Sequence, residues 1–251
     1  RADARFGPDK VPIRLRKTPE ARQCGLAGRR PETAGLAEIA RSGDHAADLT
    51  RGFMKVSLIL GHPAPGSFNH AICATAIAAL EAGGHACHFH DLYAEGFDPV
   101  MTAAELPKDA VLPAEIERHC REIGEADGII VVHPNWWSAP PAILRGWCDR
   151  VLRAGRAYNF VPDGQGGAKA VGLLNAQVGL VFTTANTPHD TEVLSFGDPL
   201  HTHWMKVVFG LCGVARTEKW DFSPIITSTA DMRREWLREV ELAVARYFPR
   251  E

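Results

Sequence analysis

A chain of 251 residues that is 45% hydrophobic has apolar side chains enough for one domain of ordinary size plus appendages. Its formal net charge of −2 argues against a nucleic-acid surface as the main function, and no apolar run approaches the roughly 20 residues a membrane-spanning helix requires. Six cysteines, at 24, 73, 87, 120, 148 and 212, contain no Cys-x-x-Cys pair, so reduced thiols in a cytoplasmic protein are expected.

The first 53 residues differ from the rest. They carry eleven Lys/Arg, seven Asp/Glu and, as aromatics, only Phe6 and Phe53. Such a stretch cannot bury enough apolar surface to order itself, and it reads as a mostly disordered extension with a short helix near 36–41. The acidic residues count against an organellar presequence, and no apolar stretch fits a secretory signal. The folded domain is expected over 54–251, with Met54 directly before the first strand.

From Met54 onward strands and helices alternate. Lys55–Leu60 reads as a buried strand, followed by the loop Gly61-His62-Pro63-Ala64-Pro65-Gly66-Ser67-Phe68-Asn69. A helix from Asn69 to about Ala82 has Ile72, Ala76 and Leu80 at helical spacing. The second strand is expected near His85–His90, then a connection with Pro99, Pro107 and Pro113, and a helix over 114–125. Residues 128–133 form the third strand, and a helix from Pro141 to Leu152 follows. The segment Asp163-Gly164-Gln165-Gly166-Gly167 reads as a flexible excursion before the fourth strand at 178–184. A helix over 200–211, a fifth strand over 217–222 and a last helix over 230–247 complete the pattern. This is an α/β chain whose five parallel strands fit the doubly wound order 2-1-3-4-5. The switch point of that order joins the loops after strands one and three.

Those two loops carry the chemistry. The loop after the third strand begins Pro134-Asn135-Trp136-Trp137-Ser138. Two adjacent indoles beside a carboxamide suit a flat heteroaromatic ligand that needs stacking and edge hydrogen bonds. In the loop after the first strand, Gly61 and Gly66 allow close backbone approach, and Ser67 and Asn69 offer hydrogen bonds beside the free N–H groups of a new helix. That suits phosphate, although the loop is neither Gly-x-Gly-x-x-Gly nor a P-loop. His88 and His90 share a strand face but have no carboxylate at helical offset, and His201 and His203 do not face one another on a helix. No metal site is expected from either pair. Ser57, Ser67 and Ser138 lack a nucleophile-elbow pattern.

Taken together, His62, Ser67-Phe68-Asn69, Asp91-Leu92-Tyr93, Phe97-Asp98-Pro99, Glu125-Ala126-Asp127 and the run from Pro134 through Trp137, Pro140-Pro141-Ala142-Ile143-Leu144-Arg145-Gly146-Trp147 and Arg150-Val151 resemble the NAD(P)H:quinone oxidoreductase family. This family comprises flavodoxin-like flavoproteins, among them the DT-diaphorases and modulators of drug activity. Ala157-Tyr158 and Thr183-Thr184 continue the resemblance, which spans roughly Met54 to Phe248.

It implies a flavodoxin-like fold, a bound flavin (FAD or FMN) and NAD(P)H as co-substrate. Hydride would pass by way of flavin N5 to quinones or similar electron-poor aromatics, with ping-pong kinetics. His62, Ser67, Phe68 and Asn69 would hold the phosphate end, and Pro134, Asn135, Trp136 and Trp137 would wall the ring. Thr183, Thr184, Ala185 and Asn186 would run along it. The resemblance also implies a homodimer in which Tyr158 and Phe160 reach over the partner's flavin, so that Trp137, Asn186, Tyr158 and Phe160 face the reacting groups.

The chain departs from the family pattern in places. Better-known members have two glycines where Ala185 and Asn186 stand, and a hydroxyl where Phe160 has none. Their later tyrosine and histidine have no clear counterpart, leaving His189 as either a substitute or a solvated loop histidine. Two other roles stay open: the ancillary, flavin-binding subunit of a potassium efflux system, and a flavodoxin-type electron carrier.

Overall fold

The computed structural model describes residues 52–250, so the expected N-terminal extension lies, but for residues 52 and 53, outside the described residues. At its centre is a parallel five-stranded sheet in the order β2-β1-β3-β6-β7, built from β1 (Lys55–Leu60), β2 (Ala86–Asp91), β3 (Gly128–Pro134), β6 (Val178–Thr184) and β7 (Arg216–Phe222). Counted along this sheet alone, the order is the expected 2-1-3-4-5. Every residue of β3 and β6 is buried, the pattern of parallel strands covered on both faces.

Side-chain alternation divides those strands between two cores. On one face Ile59, Ile129, Val131 and Val181 meet Ile116 and Ile123 of α2 (Ala114–Glu125) and Leu144, Trp147 and Val151 of α3 (Ala142–Val151). On the other face Leu58, Leu60, Ile130, Val132, Leu180 and Phe182 meet α1 (Phe68–Ala82) and α7 (Ala230–Tyr247) through Ile72, Leu80, Val240 and Val244.

Two residues explain how α3 is seated. A Cβ on Gly146 would collide with the carbonyl oxygen of Pro99, so only glycine lets the helix lie against that backbone. One turn later Arg150, 3% exposed, makes two bonds of 2.9 Å to the Glu105 carboxylate. The guanidinium holds that carboxyl below the usual range. The long proline-bearing connection is thereby pinned to the helix that follows the tryptophan loop.

Three features were not expected from the sequence. The glycine-rich segment is the turn of an antiparallel hairpin, β4 (Tyr158–Pro162) with β5 (Ala168–Gly172), rather than a free excursion. Asp163 closes that turn, its Oδ1 accepting from the N–H groups of Gln165 (2.8 Å) and Gly167 (2.9 Å). A helix, α4 (His189–Phe196), occupies what read as loop, and it ends at Gly197 with φ 75°. The helix expected over 200–211 is made of α5 (Pro199–His201), a π-helical segment over Thr202–Phe209, and α6 (Gly210–Cys212).

Candidate functional site

The loops after β1, β3, β6 and β7 all leave the carboxyl edge of the sheet, where open α/β sheets bind ligands. They enclose a cleft of about 360 Å³. It brings together His62, Ser67, Phe68, Asn69, Pro134, Asn135, Trp136, Thr184, Ala185 and Asn186 of the residues expected from the sequence. Thr187, Ile225 and Arg233 also line it, and of these Ile225 and Arg233 were not anticipated. Arg233 sits on α7, and the loop after the last strand reaches the same edge, a consequence of topology that could have flagged Ile225.

Among the described residues Arg233 is the only permanently charged side chain lining the cleft. It is held ready: its Nε donates to Ser228 Oγ (2.8 Å), Nη2 to the Ile225 carbonyl (3.2 Å), and the guanidinium lies 5.9 Å from the Phe68 ring centre. His62, also in the lining, accepts the Ala64 N–H at Nδ1 (3.1 Å), which leaves Nε2 as the N–H donor of the neutral ring. Burial, first of all, lowers the His62 pKa.

The cleft wall has unmet hydrogen-bonding demand. Asn69, 3% exposed, gives its amide N–H to Thr184 Oγ1 (2.9 Å), but its Oδ1 is buried with no partner, and so is Oδ1 of Asn135. A buried polar atom without a partner costs about 1–3 kcal/mol. Two such oxygens beside a half-exposed indole fit a ligand with N–H or O–H groups and a flat ring, and a flavin has both. Ser67, His62 and Arg233, which line the same cleft, fit its phosphate.

The tryptophan loop is a tight turn. Trp136 and Ala139 exchange two backbone hydrogen bonds of 3.1 Å, and between them Trp137 and Ser138 have φ 56° and 55°. Two successive left-handed residues without glycine make a turn of type I′, which costs about 1–3 kcal/mol per residue and is usually stored at functional sites. Trp136 faces the cleft, whereas Trp137 points away and is 100% exposed.

Other expected site residues lie apart from the cleft or have their polar groups committed elsewhere. Thr183 is buried beneath it, its hydroxyl bonded to Asp221, because strand alternation turns it opposite to Thr184. The N–H of Ala185 is committed to the Phe222 carbonyl (3.1 Å). Tyr158 and Phe160 form an edge-to-face pair 5.7 Å apart on β4, with Tyr158 packed on the core and Phe160 58% exposed. His189 Nδ1 lies 3.1 Å from Asp221 Oδ2, and the same aspartate pairs with the buried ammonium of Lys219.

A second histidine cluster sits behind the end of β2. Ligand atoms of His90, Glu95 and His119 lie within 4.8 Å of one another. The indole N–H of Trp147 donates to His119 Nδ1 (3.2 Å), so Nε2 must carry the proton it directs at Glu95 Oε2 (3.1 Å). A nitrogen so protonated is no ligand, since metal-bound histidines donate through their other nitrogen. Arg118 pairs with both Glu95 and Glu122. This is a hydrogen-bonded ion-pair network.

Over residues 54–237 the chain matches the family described as having a flavodoxin-like fold, and it belongs to that family. Among curated proteins it is 31% identical to an uncharacterized NAD(P)H oxidoreductase of Haemophilus influenzae over 64% of this chain and 79% of that one. To the ribosyldihydronicotinamide dehydrogenase [quinone] of Rattus norvegicus it is 33% identical over 53% of this chain and 64% of the relative. Among solved structures, Smu.1420 from Streptococcus mutans superposes with a TM-score of 0.67 at 30% identity, covering 77% of this chain and 100% of that one. An FMN-dependent NADH-azoreductase from Bacillus anthracis, solved with FMN, shares the fold at 16% identity with a TM-score of 0.62 over 77% of this chain and 99% of that one. Among the described residues no helix is long and apolar enough to cross a membrane.

Proposed function

We propose that this protein is a flavin-dependent NAD(P)H oxidoreductase acting on quinones or similar electron-poor aromatics. The observation that carries this reading is the cleft at the carboxyl edge, lined by two orphaned carboxamide oxygens, an indole, Ser67, His62 and Arg233. The names of the relatives support the oxidoreductase class.

When bound, the flavin supplies the hydride chemistry, taking two electrons from NAD(P)H and passing them to an acceptor that occupies the same place in turn. The chain's own residues bind and orient. Arg233, His62 and Ser67 would offset the phosphate charge. Asn69 and Asn135 would accept hydrogen bonds through the oxygens now unpaired, and Trp136 would cover one side of the ring and exclude water. The exposed Trp137, Phe160 and Phe196 are apolar surface that a second copy of the chain would cover, consistent with a homodimer sharing its sites.

The test is to identify the flavin released from purified protein by heat, and then to follow NADH and NADPH oxidation with and without a quinone. Bound flavin with quinone-dependent turnover supports the reading. Bound flavin without turnover would favour an electron carrier or a regulatory subunit. Absence of flavin from both the isolated and the reconstituted protein refutes the proposal.

A further inference from the structure

Ser67 is the N-cap of α1, yet its hydroxyl makes no capping bond to the first turn of the helix. It turns instead to His70, with Ser67 Oγ 2.8 Å from His70 Nδ1. The other ring nitrogen, Nε2, is 3.1 Å from Asp91 Oδ2 at the end of β2. Asp91 is itself fixed, since its Oδ1 accepts from the N–H groups of Tyr93 (3.2 Å) and Ala94 (3.1 Å). A hydrogen-bonded line thus runs from the cleft, through a half-buried imidazole, to a carboxylate locked in a turn.

The direction of these bonds depends on one proton. A carboxylate only accepts, so Nε2 of His70 carries a hydrogen. With the ring neutral, Nδ1 is an acceptor and consumes the Ser67 hydroxyl proton, leaving Ser67 to present lone pairs to the cleft. With the ring protonated, Nδ1–H donates to Ser67 Oγ and frees the hydroxyl proton to point at a ligand. An anion repels the first arrangement and is bound by the second.

We propose that His70, held by Asp91, is a positioning residue for the anionic end of the ligand, and that binding of a phosphate-bearing flavin draws a proton onto His70 and turns Ser67 into a donor. This inference rests on the flavin reading and adds a proton-linked phosphate subsite to it.

The groups facing His70 among the described residues are few. His62, across the loop with ring centres 6.2 Å apart, is kept neutral chiefly by burial. On α1 itself Cys73 is a buried thiol pushed well up by desolvation, and Cys87 of β2 is likewise raised, to about 11. Asp91 is the one anion in contact with the ring. The imidazolium therefore has a single counter-charge, and a bound phosphate would be its second.

The test measures proton uptake on binding. Calorimetric titration of apoprotein with FMN, near pH 7.5 in buffers of different ionisation enthalpy, reads the protons taken up per flavin bound. Wild-type protein should take up a substantial fraction of a proton with FMN and none with riboflavin, which lacks the phosphate. FMN affinity should fall roughly tenfold from about pH 7 to about pH 9, a range in which the phosphate of FMN is already ionised.

His70→Gln and Asp91→Asn, checked for an unchanged melting transition, should lose the uptake and flatten the profile. His62→Gln should bind FMN more weakly but keep the uptake. Uptake that persists in His70→Gln, or equals that of riboflavin, overturns the proposal. If FMN, FAD and riboflavin all fail to bind, the flavin reading falls and this inference falls with it.

Discussion

Asn135 and Trp136 are neighbours whose removal should have different consequences. The Asn135 oxygen is buried and unpaired, so Asn135→Ala removes a cost from the ligand-free protein. Its thermal midpoint should be unchanged or higher while the rate of flavin reduction changes. Trp136→Ala takes an indole off the cleft wall and should weaken flavin binding by about 1 kcal/mol or more beyond lost area. Fluorescence titration of the apoproteins and stopped-flow reduction check both outcomes. Unchanged affinity and rate in the two variants would remove this loop from the cofactor site.

Two histidines away from the cleft are buried in the neutral form and make the fold's stability depend on pH. His133 donates Nδ1–H to the Pro134 carbonyl and accepts the Trp204 indole N–H (2.8 Å), and burial lowers its pKa to about 4. His119, under the Trp147 indole, is lowered to about 4, again first by burial and then by His90. In the unfolded chain an imidazole takes its proton near pH 6.5. As pH falls below that value the unfolded state binds protons first. The stability these residues contribute is therefore complete above about pH 6.5 and is lost progressively toward pH 4. Melting curves from pH 7 to 4.5 should show a steep loss, shallower in His119→Gln, which keeps both hydrogen bonds and cannot titrate. An equal slope in that variant would place the acid sensitivity elsewhere.

At the scale of the element, the turn between Trp136 and Ala139 sets two successive non-glycine residues at positive φ. Asn-Gly is the pair that a type I′ turn prefers, and Trp137-Ser138 is neither residue of it. Replacing Trp137-Ser138 by Asn-Gly should raise stability by about 1 kcal/mol, since two left-handed residues become unstrained, and should lower quinone-dependent turnover. Denaturant unfolding and steady-state kinetics on the same preparation check the pair of effects. Loss of stability in this variant would show that the left-handed torsions at 137 and 138 are not a strain. A similar economy explains the Arg-Gly-Trp run of α3. Trp147 fills the core, and Gly146 lets the helix touch the backbone at Pro99.

At the scale of the whole molecule, the described residues leave two large rings at the surface, Trp137 at 100% and Phe160 at 58% exposure. A two-fold dimer would cover such rings and close the open side of each cleft, with equivalent sites at its edges. Mixing Tyr158→Ala/Phe160→Ala protein with Asn135→Ala/Trp136→Ala protein, each inactive alone, should restore turnover after subunit exchange. One intact site per heterodimer predicts roughly a quarter of wild-type activity at equal mixing under random pairing, because half the dimers then carry one good site of two. No recovery, or an active monomer, would confine the site to one chain.

The sequence by itself determined the five strands of the parallel sheet, their order, most of the helices and which loops meet at the carboxyl edge. Buried parallel strands are continuous apolar runs, helices show 3.6-residue spacing, and the carboxyl edge at a strand-order reversal follows from chirality and connection rules. The approximate bounds of β1, β6 and α7 were legible for that reason, and so were Ser67, Asn69, Asn135 and Trp136 as cleft residues. Hairpin β4–β5 was not, because its residues are mostly half-exposed or exposed and show no clean burial alternation. Arg233 and Ile225 reach the cleft only once β7 lies beside β6. The pairing of His70 with Asp91 needs β1 to lay α1 against the end of β2. Local torsions turned Trp137 out of the cleft, and the pleat turned Thr183 under it. Periodicity is a property of a segment. The direction of a side chain and its partner across the sheet are properties of the packed whole, and only the tertiary structure decided them.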